Sequence, residues 1–202
     1  MLMDNGDTTN IPSPTEPRRP VRVFVGIKIA PEIANELAHL VGGLERPSMV
    51  PVATADIHVT LVPPWDEACP REAIEKVRPV VDQFRAFSLV FRHLGYGPDP
   101  KRPRLLWARC METDEIVALR AALLDAYGWR DERPFRPHVT LARIRGHGSA
   151  IARRCPIDRE LAFTQHVESV EFFQSPARGA RGYQVLASLR LGETQTNIST
   201  SA

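Results

Sequence analysis

Two histidines offer the clearest chemistry in this sequence. His138 lies in Phe135-Arg136-Pro137-His138-Val139-Thr140-Leu141-Ala142-Arg143, and 80 residues earlier His58 lies in Asp56-Ile57-His58-Val59-Thr60-Leu61-Val62-Pro63. Both stretches share His-Val-Thr-Leu and alternate polar with apolar residues, the period of a half-buried strand. On a strand, residues i and i+2 point the same way, about 6.5–7 Å apart. His58 then stands beside Thr60 and His138 beside Thr140, while valine and leucine turn to the core. Two such pairs facing each other supply a base, an acid and two hydroxyl donors, the set that phosphodiester cleavage requires. A single histidine on a strand is more often structural than catalytic. With six histidines in the chain, two His-x-Thr triplets alone would mean little. Two copies of the whole tetrad are far rarer by chance, and duplication or shared function explains them better.

Elements suited to position these motifs can be read along the chain. Val21 to Ile29 alternates as a first strand with Val21, Val23, Val25, Ile27 and Ile29 on one face. Pro31 opens a helix that Gly42-Gly43 stops, and Met49 to Val52 is a short strand leading to the first motif. Pro63-Pro64 should end the motif strand, because neither residue has an amide proton for a ladder. A helix is expected from Arg71 to about Phe84, interrupted or bent at Pro79, then a strand from Phe87 to Leu94 and a turn-rich loop from Tyr96 to Pro100. Arg104 to Cys110 is a strand, and Thr113 caps a helix ending before Gly128. A polar loop from Arg130 to Pro137 delivers the second motif. Val167 to Phe173 and Gln184 to Leu191 are late strands around a glycine-rich basic turn, Ser175 to Gly182. A strand–helix–strand unit precedes each motif, as in a duplicated lobe. Several links between strands lack a crossover helix, which favours an α+β fold of largely antiparallel sheet over a doubly wound parallel one.

Composition sets broad limits. The chain has 202 residues, 43% hydrophobic and 25% charged, with a net charge of +2. That fits one domain or two small lobes, read as residues 21–193, and is too little charge for a coat of nucleic acid. Residues 1–20 and 194–202 read as disordered tails, being polar and almost free of apolar residues. Cys69, Cys110 and Cys155 are odd in number and widely spaced, which argues against a disulfide framework and against a structural zinc site. The first twenty residues lack an apolar h-region, and no run approaches the eighteen apolar residues of a membrane span. The expectation is a reduced, soluble, cytoplasmic monomer without cofactor, metal or obligate protein partner. His166-Val167-Glu168 lacks the Pro-Cys-x-x-Cys that a zinc deaminase pairs with His-x-Glu, and no Gly-x-Ser-x-Gly nucleophile elbow occurs.

The paired His-x-Thr motifs, the stretch Arg133 to Arg143, Pro103-Arg-Leu-Leu-Trp107 and the ending Ala180 to Leu186 together resemble the two-histidine (2H) phosphoesterase superfamily. Within it, the likeness is to the RNA 2',3'-cyclic phosphodiesterases historically called 2'-5' RNA ligases, the LigT group, over about Val21 to Leu191. The first motif departs from that group in carrying Val62-Pro-Pro-Trp65 where a Phe-Leu-Gly turn is common. The resemblance implies a bilobal fold with pseudo-twofold symmetry and a metal-free cleft. It further implies His58 as general acid, His138 as general base, and Thr60 and Thr140 as donors to the phosphate oxygens. Arg143 follows Thr140 by three residues, so a regular strand would aim it away from the phosphate; a bulge or a strand end would be needed to bring it there, and its other role is a surface ion pair. Phe135 and Tyr183 are candidate base or ribose contacts, with Trp65, Trp107 and Tyr96 as weaker ones. The implied substrate is an RNA end or a small cyclic-phosphate nucleotide. Alternatives are another phosphodiester, such as a cyclic nucleotide, ADP-ribose 1'',2''-cyclic phosphate or a 2'-5' oligoadenylate, or an RNA-end-binding module without catalysis.

Overall fold

A computed structural model describes residues 19–43, 48–131, 133–177 and 180–192. Most of the two expected tails lies outside these residues, as does part of the basic turn, at positions 178–179. The elements are β1 (Val21–Lys28), α1 (Pro31–Gly42), β2 (Met49–Pro51), a 3-10 turn (Thr54–Asp56), β3 (His58–Glu67), α2 (Pro70–Val81), β4 (Phe87–Gly97), β5 (Leu105–Cys110), α3 (Asp114–Ala126), β6 (His138–Ile144), α4 (Gly148–Arg154), β7 (Asp158–Val167), β8 (Ser169–Gln174) and β9 (Gln184–Arg190). The fold is α+β.

The strands form one nine-stranded sheet in the order β7-β4-β5-β6-β3-β1-β8-β9, with β2 added on β6. Its strand pairs are antiparallel. The two motif strands, β3 and β6, lie at the centre and meet at the pair Val59↔Val139. The sheet therefore has two four-stranded halves related about the middle of the repeated tetrad. They are not contiguous in sequence: β8 and β9 return from the end of the chain to join the half of β1 and β3. The helices cross the divide in the same sense, α1 packing on β6 and α3 on β3. One hydrophobic core runs under both halves and includes Leu37, Val59, Leu61, Leu119, Val139 and Leu141. Burying these side chains, each worth roughly 1.5–3 kcal/mol, fixes which way the motif strands face.

Several local expectations give way to tertiary context. Pro63-Pro64 does not end β3, which runs on to Glu67. The prolines fall in a bulge between the pairs Val25↔Val62 and Val23↔Trp65, where missing amide protons interrupt least. Strand β1 is buried on both faces, Phe24 and Gly26 included, because the far face forms the wall of the cleft described below. Tyr96 and Gly97 are not loop but the buried end of β4, paired to Leu106 and Leu105. Helix α2 passes through Pro79 but closes at Val81, short of Phe84. Thr113 occupies the N-cap position of α3 without a capping side-chain bond. Helix α4 and most of β7 had no sequence signal: α4 is short, and β7 is a polar edge strand that exposes most of its residues.

Candidate active site

The site is built by one device used twice. In the first half, Gly26 of β1 pairs with Thr60, and the next pair is Val25↔Val62. In the second, Trp107 of β5 pairs with Thr140, followed by Leu106↔Ala142. Leu61 and Leu141 are thus the extra residues of two matching bulges. A bulge turns two successive side chains to one face and re-aims the residues beyond them. Leu61 with Val62, and Leu141 with Ala142, are all buried. Pro63 and Arg143 then return to the face of the histidines. Here is the bulge that Arg143 required; its signal was the apolar pair breaking the alternation in each motif.

His58, Thr60, His138, Thr140 and Arg143 accordingly line one cavity of about 170 Å³, together with Asp56, Tyr183 and Phe24. Each imidazole is held alike. His58 Nδ1 donates to the main-chain oxygen of Asp56 at 2.7 Å, and His138 Nδ1 to that of Arg136 at 2.7 Å. A carbonyl can only accept, so each Nδ1 carries the proton and each neutral ring keeps its Nε2 lone pair for chemistry. Each ring also leans on an aromatic neighbour. Phe24 lies 4.7 Å from His58 between centroids, and Trp107 lies 4.2 Å from His138. Tyr183 meets His58 edge-on at 5.1 Å, and its backbone N–H donates to Asp56 Oδ1 at 2.9 Å.

Burial pulls both imidazoles below the ordinary histidine range, since the charged form is the costlier one to desolvate. For His58, the Asp56 carbonyl and carboxylate oppose this, while His138 and Arg143 add to it. For His138, the hydrogen bond to Arg136 is the opposing influence. An imidazole that is neutral can take a proton through Nε2 and one that is protonated can give it back, so two rings lining one cavity are able to serve a bound phosphate as base and acid.

The cleft continues beyond this cavity. On one side a pocket of about 540 Å³ is bordered by Arg143, Arg145, Arg181 and Tyr183. On the other, about 340 Å³ is bordered by Phe135, Trp107, Thr60, Arg136 and His138. Phe135 is buttressed there: the Arg120 guanidinium sits 4.6 Å over its ring, and Asp131 holds Arg120 at 2.7 Å. Of the weaker aromatic candidates, Trp107 supports His138. Trp65 packs with Tyr127, Trp129 and Phe172 instead, and Tyr96 is buried with its hydroxyl donating to the Cys155 carbonyl. Asp56 was not singled out from sequence, where it is only the polar residue before a strand. Among the described residues, no three His, Cys, Asp or Glu side chains form a metal-ligand group, and no helix is long and apolar enough to cross a membrane.

Comparison with known proteins bears on the family and the fold. The sequence pattern of the 2'-5' RNA ligase superfamily matches residues 24–177. An RNA 2',3'-cyclic phosphodiesterase of Aquifex aeolicus is 30% identical over 63% of this chain and 72% of its own length. One from Archaeoglobus fulgidus is 24% identical over 65% and 77%. Among solved structures, Escherichia coli LigT complexed with 3'-AMP superposes with a TM-score of 0.68 at 22% identity, covering 86% of this chain and 99% of that one. A Thermus thermophilus protein gives 0.70 at 24% identity, covering 85% and 99%.

Proposed function

The chain belongs to the 2'-5' RNA ligase superfamily of 2H phosphoesterases, and we propose that it hydrolyses RNA 2',3'-cyclic phosphate ends to 2'-phosphomonoesters by acid–base catalysis between His58 and His138. The observation that carries this reading is the pair of Nδ1-anchored imidazoles opening onto one cavity with two threonines and an arginine. The relatives named as RNA 2',3'-cyclic phosphodiesterases support the substrate class.

A 2',3'-cyclic phosphate is a strained diester with one negative charge. Water attacks phosphorus in line with the departing ribose 3'-oxygen, and His138 Nε2 takes the proton of that water. The P–O3' bond breaks, and His58 Nε2–H gives its proton to O3'. The product keeps phosphate on O2' and a free 3'-hydroxyl. Each positioned proton transfer is worth roughly 10²–10⁴-fold. Thr60, Thr140 and Arg143 donate to the equatorial oxygens as charge grows there. Asp56 supports the assignment of roles, because a carboxylate beside His58 favours its charged, donating form. At the matching place before His138 the residue is Arg136. The terminal nucleoside rests against Phe135 on one side of the cavity, with Tyr183 bordering the other.

A panel of 2',3'-cyclic mononucleotides, 3',5'-cyclic nucleotides, ADP-ribose 1'',2''-cyclic phosphate and 2'-5'-linked dinucleotides, read by ³¹P NMR, tests the reading. Turnover of the 2',3'-cyclic phosphates to 2'-phosphomonoesters is expected. A clean 3'-phosphate product would reverse the leaving group, and turnover of only another panel member would replace the substrate.

A further inference from the structure

One basic cluster has no side chain assigned to substrate in the reaction as described. Beyond Phe135, a pocket of about 460 Å³ is bordered by Arg92, Arg109 and Arg136, with Met111 and Glu112. The three guanidinium groups come from β4, from β5 and from the loop before β6. Arg109 is the cross-strand partner of His138, so it stands next to the reacting end of the cleft. Arg136 borders both this pocket and that of Phe135. Arg92 is steadied by a contact from its Nε to Met111 Sδ at 3.4 Å. Among the described residues, the salt bridges of arginine engage Arg22, Arg78, Arg120 and Arg133, and none of these three. Glu112 borders the pocket without forming an ion pair with them.

Three arginines from separate elements bordering one hollow concentrate positive charge there, and the planar fork of a guanidinium group matches phosphate oxygens. The pocket is also placed at a definite remove. The Phe135 pocket shares Thr60 and His138 with the catalytic cavity and Arg136 with the arginine pocket. Its volume lies at the small end of ligand pockets, roughly 300–1,000 Å³, which suits one nucleoside. We propose that Arg92, Arg109 and Arg136 form a second anion site, which takes the phosphate one nucleotide away from the reacting one while the nucleoside between them lies against Phe135. Building on the cyclic phosphodiesterase reading, this makes the preferred substrate an oligonucleotide with a cyclic end rather than a cyclic mononucleotide.

The test compares a 2',3'-cyclic mononucleotide with a trinucleotide ending in the same cyclic phosphate, and with that trinucleotide carrying a neutral methylphosphonate at its last linkage. The unmodified trinucleotide should have the higher kcat/KM, by about tenfold, the scale of one charge-assisted contact. Arg92→Gln, and the double variant Arg92→Gln/Arg109→Gln, should erase most of that advantage through KM. Arg92→Gln should leave the mononucleotide rate unchanged, which also shows that the variant is folded. The methylphosphonate should cost the wild type the same factor and the double variant nothing further. Three results would overturn the proposal. The advantage could survive in the double variant, or Arg92→Gln could slow both substrates equally, or Arg145→Gln/Arg181→Gln could abolish the advantage instead, sending the strand out by the opposite end. A wild type inactive on every cyclic end would remove the phosphodiesterase reading itself, a result distinct from these three.

Discussion

Residues 56–63 and 136–143 occupy equivalent places in the two halves of the sheet, and their agreement stops where charge begins. His, Val, Thr and Leu are the same in both. They make the same bulge, turn the same face to the cleft and donate the same Nδ1 bond to a carbonyl two residues earlier. The outer residues differ: Asp56 answers to Arg136, and Pro63 to Arg143. Were the halves alike throughout, the two imidazoles would be interchangeable and neither would be committed to giving or taking a proton. A carboxylate beside His58 favours its imidazolium, while Arg143 from the other half opposes it; the place before His138 that matches Asp56 holds Arg136 and no carboxylate. Repetition supplies the geometry, and in the proposed mechanism the difference between Asp56 and Arg136 is what would give the reaction a direction.

The largest effects should come from removing either imidazole. His58→Ala and His138→Ala should each lose several decades of kcat on a cyclic ribose phosphate. They should differ on a nitrophenyl phosphodiester, whose leaving group needs no proton. There His58→Ala should recover much of its loss and His138→Ala little, because water must still be deprotonated. The double variant should be scarcely worse than the poorer single one, since groups acting as a unit are not additive. The opposite pattern of rescue, measured as kcat on the two substrates, would exchange the roles.

Next comes the pair Pro63 and Arg143. Arg143→Gln should lower kcat by about 10²-fold, the scale of one donor to a charge-developing oxygen. Pro63→Ala removes no donor and sits in a bulge, so its rate should change by less than about threefold, within the usual range for substitutions away from key contacts. Equal losses would mean that the cleft responds to strand shape at these positions rather than to the guanidinium.

The matched positions Gly26 and Trp107 give a smaller effect, on stability. Trp107 fills its place with a ring against His138. At Gly26 an added Cβ would lie 2.5 Å from the Val59 carbonyl oxygen, and Val59 is the residue that bridges the halves through Val139. Gly26→Ala should therefore destabilise the protein by about 1–3 kcal/mol, measured by urea denaturation. An unchanged midpoint would show that the bridge between the halves is free to shift.

How much of this was legible beforehand depends on where each part has its cause. The tetrads were visible because a half-buried strand writes its period into the sequence, and the flanking helices show the same way. The sheet order was not visible. That β8 and β9 rejoin β1, while β7 closes the other edge on β4, is decided by pairings between segments far apart in the chain. The prolines at 63 and 64 argued locally for an end to β3, and a bulge absorbed them. Arg143 sat on the wrong face of an ideal strand for the same reason. Asp56 was overlooked because its importance lies in contacts with His58 and with Tyr183, 127 residues away.

The smallest expected change is also the most direct probe of direction. Asp56→Asn keeps an oxygen to accept the Tyr183 N–H and keeps the main-chain carbonyl that holds His58; only the charge is lost. In the proposed mechanism His58 must be protonated to donate, so activity should fall as pH rises through its pKa, while His138 must be neutral, so activity should fall as pH drops through its own. Removing the carboxylate takes away an influence that raises the His58 pKa. The basic limb of the kcat/KM profile should move to lower pH, with a loss at neutral pH below about tenfold, since a charge in a partly solvated cleft is screened. Arg143→Gln removes an influence that lowers the same pKa, so whatever its rate, its basic limb should move to higher pH. The two rings titrate as a coupled pair, and each limb reports the pair rather than one ring alone. Opposite displacement of one limb by two opposite charges is nonetheless a signature that a change in folding would not imitate. If Asp56→Asn displaced the acidic limb instead, the carboxylate would be acting on the base, and His58 and His138 would exchange their parts.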